Sequence, residues 1–249
     1  MRSVDLVLFD LGSTLLYFDG NSSEVLGEAD RRLAQALLEL GCPLDAQRFV
    51  PTFRERLRTY FRQRDIDFVE LTIESVLRAV LAEAGLCQPG HHELRLALGK
   101  MYAVTQAHWK LEPDAQQTLA DLRRRGCRLG LISNAADGDD VRALLAQNGL
   151  EPYFEQVLVS ADVGLRKPHP LIFLHALDFF KVPPSRAVMV GDKLGADILG
   201  AQNVGMPGIW ITRRCEPGAH ITSELEIQPD AVISSLSELP DLLENFPVH

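Results

Sequence analysis

The 249-residue chain is 46% hydrophobic and 24% charged, ordinary for a soluble globular enzyme built as one large domain or as a core with an insertion. Its net charge of −9 and pI near 5.3 argue against nucleic acid or an anionic membrane as partner. No stretch approaches the ~20 apolar residues of a membrane span. The first apolar run, broken by Asp5 and Asp10, is too short for a signal segment and lacks a basic flank, so the chain is expected in the cytoplasm. Four widely spaced cysteines, Cys42, Cys87, Cys127 and Cys215, form no CxxC pair and are expected as free thiols in a reducing compartment.

Val4 to Phe9 is a run of β-formers that reads as a buried parallel strand, with Asp10 at its end. Open α/β sheets bind ligands at that carboxyl edge. Gly12 permits a tight turn, and Ser13 and Thr14 add hydroxyls. The pattern then turns helical for about ninety residues. Asn21 and Ser22 offer N-cap oxygens before a helix with Val25, Ala29, Leu33, Leu37 and Leu40 on one face, stopped by Gly41. A second helix is expected to open near Pro51, a third runs from Thr72 to Gly85, and a fourth carries Leu94, Leu98 and Met101 toward Trp109. Four amphipathic helices in succession predict a small bundle.

From Leu111 strands and helices alternate. A helix over Pro113–Arg125 ends in three arginines before Gly126, cations at the negative end of the helix dipole. Strands are expected at Arg128–Ser133, Gln156–Ser160, Ala187–Val190, Gly208–Thr212 and Ala231–Ser234. Helices are expected near Asp139–Asn148, Pro170–Phe180 and Ala196–Val204, with a last one from Leu239. Arg213–Gln228 is the long irregular connection. Repeated β-α-β units require a parallel sheet covered on both faces. The fold class is therefore α/β, with residues 1–16 and 110–249 forming the core and residues 17–109 an inserted helical domain.

Four strand ends present polar groups at one edge of such a sheet: Asp10, Ser133–Asn134, Lys167 and Asp192. Asp197 follows Asp192 by five residues, in the first turn of the next helix, where it can face the same ion. Carboxylates at Asp10, Asp192 and Asp197 make an oxygen-only site that suits Mg²⁺ rather than zinc. Lys167 and the Ser133 hydroxyl are donors for a phosphoryl group, and a carboxylate among them can attack phosphorus to give an aspartyl-phosphate.

These segments resemble the haloacid dehalogenase superfamily, in its subgroup with a helical cap inserted after the first motif. DLGST is similar to the nucleophile motif, LISN to the second, GLRKPHPLIF to the lysine motif and VGDKLGADILGA to the acidic metal motif. The resemblance spans essentially the whole chain. It implies a three-layer Rossmann-like core, with the cap closing over the carboxyl edge to exclude water. It implies Asp10 as nucleophile and metal ligand, the Gly12 carbonyl and Asp192 as further ligands to Mg²⁺, and Asp197 in support. Thr14, Ser133, Asn134 and Lys167 would hold the phosphoryl group or orient the nucleophile. The implied activity is a Mg²⁺-dependent phosphatase acting on a small anionic phosphorylated metabolite, as monomer or dimer.

One position departs from the pattern. Phosphatases of this family usually carry a second Asp two residues after the nucleophile, as general acid and base; here it is Gly12. Loss of such a group typically costs ~10²–10⁴ in rate, so slow cleavage of alkyl esters is expected. Lys193 and Asp137 are the substitutes nearest in sequence. A dehalogenase and a catalytically weakened phosphate-binding regulator are the alternatives, although the family's dehalogenases replace the first acid of the metal motif and Asp192 is present. Within the cap, Arg54, Arg58 and Arg62 recur at i, i+4, i+8; they either select an anionic substrate or form a solvated face paired with acids such as Glu55 and Asp65. His91–His92 is expected in a surface loop.

Overall fold

A computed structural model describes residues 4–215 and 227–246. Strand β1 (Leu6–Phe9) is followed by β2 (Leu16–Phe18) and by helices α1 (Ser22–Glu39), α2 (Ala46–Asp67), α3 (Ile73–Glu83) and α4 (His91–Gln106). Next come β3 (Trp109–Leu111), α5 (Ala115–Arg124), β4 (Arg128–Ser133), α6 (Gly138–Gln147), β5 (Gln156–Val159), the short α7 (Ser160–Val163) and α8 (Pro170–Phe180). Strand β6 (Ala187–Gly191), α9 (Leu199–Gln202), β7 (Gly208–Ile211), β8 (Ala231–Ile233) and α10 (Leu239–Glu244) complete the order.

The main sheet is six-stranded, in the order β5-β4-β1-β6-β7-β8, with every described pairing parallel. A parallel strand covered on both faces must be apolar throughout, and Leu6, Val7, Leu8 and Phe9 are all buried. Phe9 pairs in register with Leu131 on one side and Val190 on the other, so Asp10, Ile132 and Gly191 follow at one edge. The strand order changes direction beside β1: β4 and β5 extend to one side, β6 to β8 to the other. A crevice at such a reversal is where open α/β sheets bind ligands. On one face of the sheet, α8 packs Ile172, Phe173, Ala176, Leu177 and Phe180 against Leu6, Leu8, Ile132 and Met189.

The chain divides into two compact units, Met1–Tyr17 with Lys110–His249, and Phe18–Trp109. The second contains α1 to α4, whose apolar stripes meet through Leu33, Leu37, Phe53, Leu77, Leu81, Leu94 and Leu98. The elements are those expected, with local differences. Helix α2 opens five residues before Pro51, because Asp45 caps it by accepting the Gln47 N–H at 2.9 Å. Strands β2 and β3, three residues each, pair with one another and were not expected; segments that short show no periodicity. His91 and His92 open α4 instead of lying in a loop, and both are exposed. The helix expected over Ala196–Val204 is a π-turn at Leu194–Ile198 followed by α9. Residues 216–226 of the expected Arg213–Gln228 connection lie outside the described residues.

The cysteine expectation requires correction. Cys42, just past α1, and Cys87, between α3 and α4, are joined in a disulfide with Cα atoms 5.4 Å apart. Cys127 and Cys215 lie outside any disulfide. The argument for a reducing compartment fails for the first pair, since spacing along the chain says nothing of proximity across a bundle. No helix among the described residues is long and apolar enough to cross a membrane.

Candidate active site

Asp10 leaves the end of β1 with its N–H donated to Val190 O at 2.9 Å, so its backbone still belongs to the sheet. The chain then turns sharply. Leu15 and Leu16 donate to Leu11 O, Ser13 donates to Leu16 O, and Ser13 adopts φ 60°. Gly12 lies inside this turn and forms an isolated bridge with Leu16. Thr14 is completely buried there, and its hydroxyl has no hydrogen-bond partner. An orphaned buried hydroxyl costs about 1–3 kcal/mol.

Lys167 is the centre of the charge arrangement. It is 2% exposed. Its Nζ donates to Asp10 Oδ1 at 2.7 Å and to Ile132 O at 2.7 Å, and lies 2.6 Å from Asp197 Oδ1 in an ion-pair contact that lacks hydrogen-bond alignment. Carboxylate oxygens of Asp10, Asp192 and Asp197 lie within 4.8 Å of one another. The Asp197 side chain is 1% exposed, Asp192 8% and Asp10 13%. Burial raises the Asp10 pKa to about 7; the Lys167 ammonium opposes the rise, while Asp197 and Asp192 add to it. Burial, then Asp197, raises Asp192 as well, against the pull of Lys193. Burial acts against the Lys167 charge, but Asp10 and Asp197 outweigh it and hold that pKa above the ordinary lysine value.

The donor set is carboxylate oxygen alone, among the described residues, with no sulfur or imidazole. When ionised, the three carboxylates outnumber buried Lys167 and the exposed Lys193 beside Asp192, an excess of negative charge that a divalent cation would offset. Such a set fits a hard ion of the Mg²⁺ kind. The sequence around it is shaped for close approach. A Cβ built on Gly191 would meet Asp197 Cγ at 2.3 Å, so only glycine lets Asp197 pack against the end of β6. The π-turn carrying Asp197 is a rare local geometry that recurs at functional sites. Asp197 Oδ2 in turn accepts the Lys193 N–H at 3.0 Å.

The other expected residues fall as follows. Ser133 ends β4 and is buried. Asn134 hydrogen-bonds the main chain of Lys167 at both its N–H and its carbonyl. Asp137 caps α6, accepting the Asp139 and Asp140 N–H groups at 3.0 and 3.2 Å. Lys193 is 72% exposed, with Nζ 3.5 Å from Asp192 Oδ2; the Asp192 charge raises its pKa. In the helical unit Arg54 is paired with Asp30, and Arg58 and Arg62 with Glu55 at 3.3 and 3.7 Å. Each arginine of the row thus has an acidic partner, and Asp30 is one the sequence did not suggest. Two contributors escaped the sequence reading. Gly191 was hidden as an ordinary strand-end glycine, and Trp210, whose indole N–H donates to Asp192 O at 3.0 Å, looked like one more β-former.

The model for haloacid dehalogenase-like hydrolases matches residues 4–205, which include every residue of this cluster. The chain belongs to the haloacid dehalogenase-like hydrolases. Over 248 residues, 98% of this hydrolase and 95% of the relative, it is 30% identical to glyceraldehyde 3-phosphate phosphatase of Pyrococcus furiosus. It is 36% identical to phosphoserine phosphatase of Thermus thermophilus over 67% of its own length and 63% of that enzyme. Among solved structures, 2-haloacid dehalogenase from Pseudomonas syringae superposes with a TM-score of 0.68 at 29% identity, covering 98% of this chain and 100% of that one. This hydrolase is therefore similar both to proteins named as phosphatases and to one named as a dehalogenase.

Proposed function

We propose that this hydrolase is a Mg²⁺-dependent phosphatase acting on a small anionic phosphate ester or acyl phosphate, with Asp10 as nucleophile. The observation that carries the reading is the clustering of Asp10, Asp192 and Asp197 at the sheet's carboxyl edge, two of them against one buried lysine. The two curated relatives named above, both phosphatases, support it.

Asp10, the Gly12 carbonyl and Asp192 would hold Mg²⁺, with Asp197 supporting them. The bound ion supplies charge neutralisation for the phosphoryl oxygens. In the first step an Asp10 carboxylate oxygen attacks phosphorus, the ester P–O bond breaks, and the leaving oxygen departs with the bonding pair. In the second, water attacks the aspartyl-phosphate, its proton passes to solvent, and the Asp10 P–O bond breaks to release phosphate. Lys167 opposes the charge on Asp10 and on the transferring group, and the Thr14 and Ser133 hydroxyls orient them. Asp137 is committed to its helix cap and is unsuited to proton transfer. Cleavage then depends on a leaving group that is stable as an anion.

The dehalogenase relation supports a second reading, in which Asp10 displaces halide. Asp192 weighs against it, since the resemblance gives a carboxylate at that position to the metal-dependent phosphatases. One panel separates them: acyl, aryl and alkyl phosphates beside 2-haloacids, each with Mg²⁺ and with chelator. Phosphate release that needs Mg²⁺ and disappears in Asp192→Asn is expected. Halide release undiminished in chelator would replace this reading with the second.

A further inference from the structure

The sequence groups Asn134 with the phosphoryl-binding residues, yet its carboxamide is engaged elsewhere. Nδ2 donates to Lys167 O at 2.9 Å, and Oδ1 accepts the Lys167 N–H at 2.8 Å. A peptide N–H and C=O from one residue present a donor and an acceptor together, and a carboxamide is the side chain that matches both. The orientation of the amide is thereby fixed: only the oxygen can face the N–H. Asn134 itself stands on a braced support. Ser160, completely buried, accepts the Ala135 N–H at 2.9 Å and donates to Ala135 O at 3.1 Å. At the other end of the lysine, Nζ donates to Ile132 O at 2.7 Å. The end of β4 therefore grips Lys167 twice, at its main chain through Asn134 and at its ammonium through Ile132.

We infer, on the phosphatase reading above, that the Asn134 side chain is a positioning group that sets the placement of Lys167 against Asp10 rather than a ligand of the phosphoryl group. The lysine sits in the connection between α7 and α8, outside regular secondary structure. Its four-carbon side chain carries any displacement of that connection straight to Nζ, which must serve two carboxylates at 2.7 and 2.6 Å. Misplacement of a catalytic group by about 1 Å is enough to cost ~10²-fold in rate.

The test combines exchange and kinetics. In Asn134→Ala the Lys167 amide should exchange with deuterium at least ~10-fold faster, because its acceptor is gone. With Mg²⁺ and an aryl phosphate, kcat/KM should fall about 10–100-fold. Asn134→Asp, which keeps an oxygen for the Lys167 N–H, should fall less. In Lys167→Met, adding Asn134→Ala should cost nothing more, since the group it positions is absent; a direct phosphoryl ligand would instead add its full loss. Unchanged exchange at Lys167, Asn134→Ala activity within twofold of wild type, or multiplicative losses in the double variant would each overturn the inference. Where Lys167→Met is inactive, exchange and the Ala–Asp comparison decide. Failure of wild type to hydrolyse any phosphate would sink the phosphatase reading alone, and the exchange measurement would still judge the clamp.

Discussion

Removing the charge of Lys167 is the sharpest perturbation of this site. In Lys167→Met the side chain keeps its length, but Asp10 and Asp197 lose the cation now 2.7 and 2.6 Å away. The Lys167 and Asp197 side chains are each 1% exposed, so solvent screening does little to discount the pair. Breaking a buried ion pair from one side costs about 3–5 kcal/mol, because the remaining charge is left uncompensated. For a unit of this size 1 kcal/mol moves Tm by ~2–4 °C, so a drop on the order of 6–20 °C is expected in chelator.

The pH dependence has a definite sign. Asp10 already titrates at about 7 with Lys167 opposing its rise, so loss of the lysine raises it further. At pH 6 Asp10 is then largely neutral and adds little to the deficit; at pH 8 it adds more. Mg²⁺ at ~100 times its Kd should return about 2.7 kcal/mol, a larger share of the stability at pH 8 than at pH 6. Turnover should stay at least ~10²-fold down even when Mg²⁺ is saturating. Calorimetric melts at both pH values, with chelator and with Mg²⁺, read all of this. A chelated Tm at pH 8 within about 1 °C of wild type would show that Lys167 does not hold these carboxylates.

Three further outcomes are expected. Asp10 is raised from 3.8 to about 7, so its contribution to metal-free stability is full below 3.8 and lost as pH rises through about 7; Mg²⁺ affinity should rise over the same interval, and a flat affinity from about pH 5.5 to 8.5 by titration calorimetry would contradict this. Gly12 is absent from the glycines with positive φ, so Gly12→Asp needs no left-handed backbone and should raise alkyl-phosphate turnover by ~10²-fold, with less gain on aryl esters; equal gains on both would refute a leaving-group role. The Cys42–Cys87 bridge spans 45 residues, for which the chain-entropy model gives about 4 kcal/mol; Cys42→Ser with Cys87→Ser, or reduction, should lower the melting of the helical unit without changing Mg²⁺ affinity, and an unchanged melt in reductant would exclude a stabilising bridge.

The parallel sheet was legible because its strands are short apolar runs closed by turn residues, and β4 and α8 begin and end where the pattern places them. The acids were legible because a strand end fixes a side chain's neighbourhood without any tertiary information. What escaped depends on distance across the fold. Cys42 and Cys87 meet only once α1, α3 and α4 have packed, and Asp30 reaches Arg54 only across two helices. The duty of Asn134 was hidden for a related reason: its motif neighbour Ser133 suggests a phosphoryl ligand, whereas the partner of its amide lies 33 residues away. Gly191 shows the limit most plainly. A glycine before an acid reads as a turn, and only the fold reveals the Asp197 carboxyl occupying the space a Cβ there would need.

These observations locate where the site is rigid and where it is bare. Asp10 is tied to β6 through its amide, Lys167 to β4 at both ends, Asp197 to Lys193 and Gly191, and Asp192 to Trp210 through its carbonyl. Groups that oppose charge are thus preorganised, which is the larger contribution in reactions that build charge at phosphorus. Proton transfer finds no comparable provision at its three candidate positions among the described residues: Gly12 offers no side chain, Asp137 caps a helix, and Lys193 is drawn to Asp192 with its pKa raised, which makes it a poorer proton donor at neutral pH. A site strong in electrostatics and weak in acid–base chemistry discriminates by the stability of the leaving anion. Acyl and aryl phosphates should therefore separate from alkyl phosphates in kcat, not only in KM, and that separation follows from the turn at Gly12 whatever the rest of the substrate.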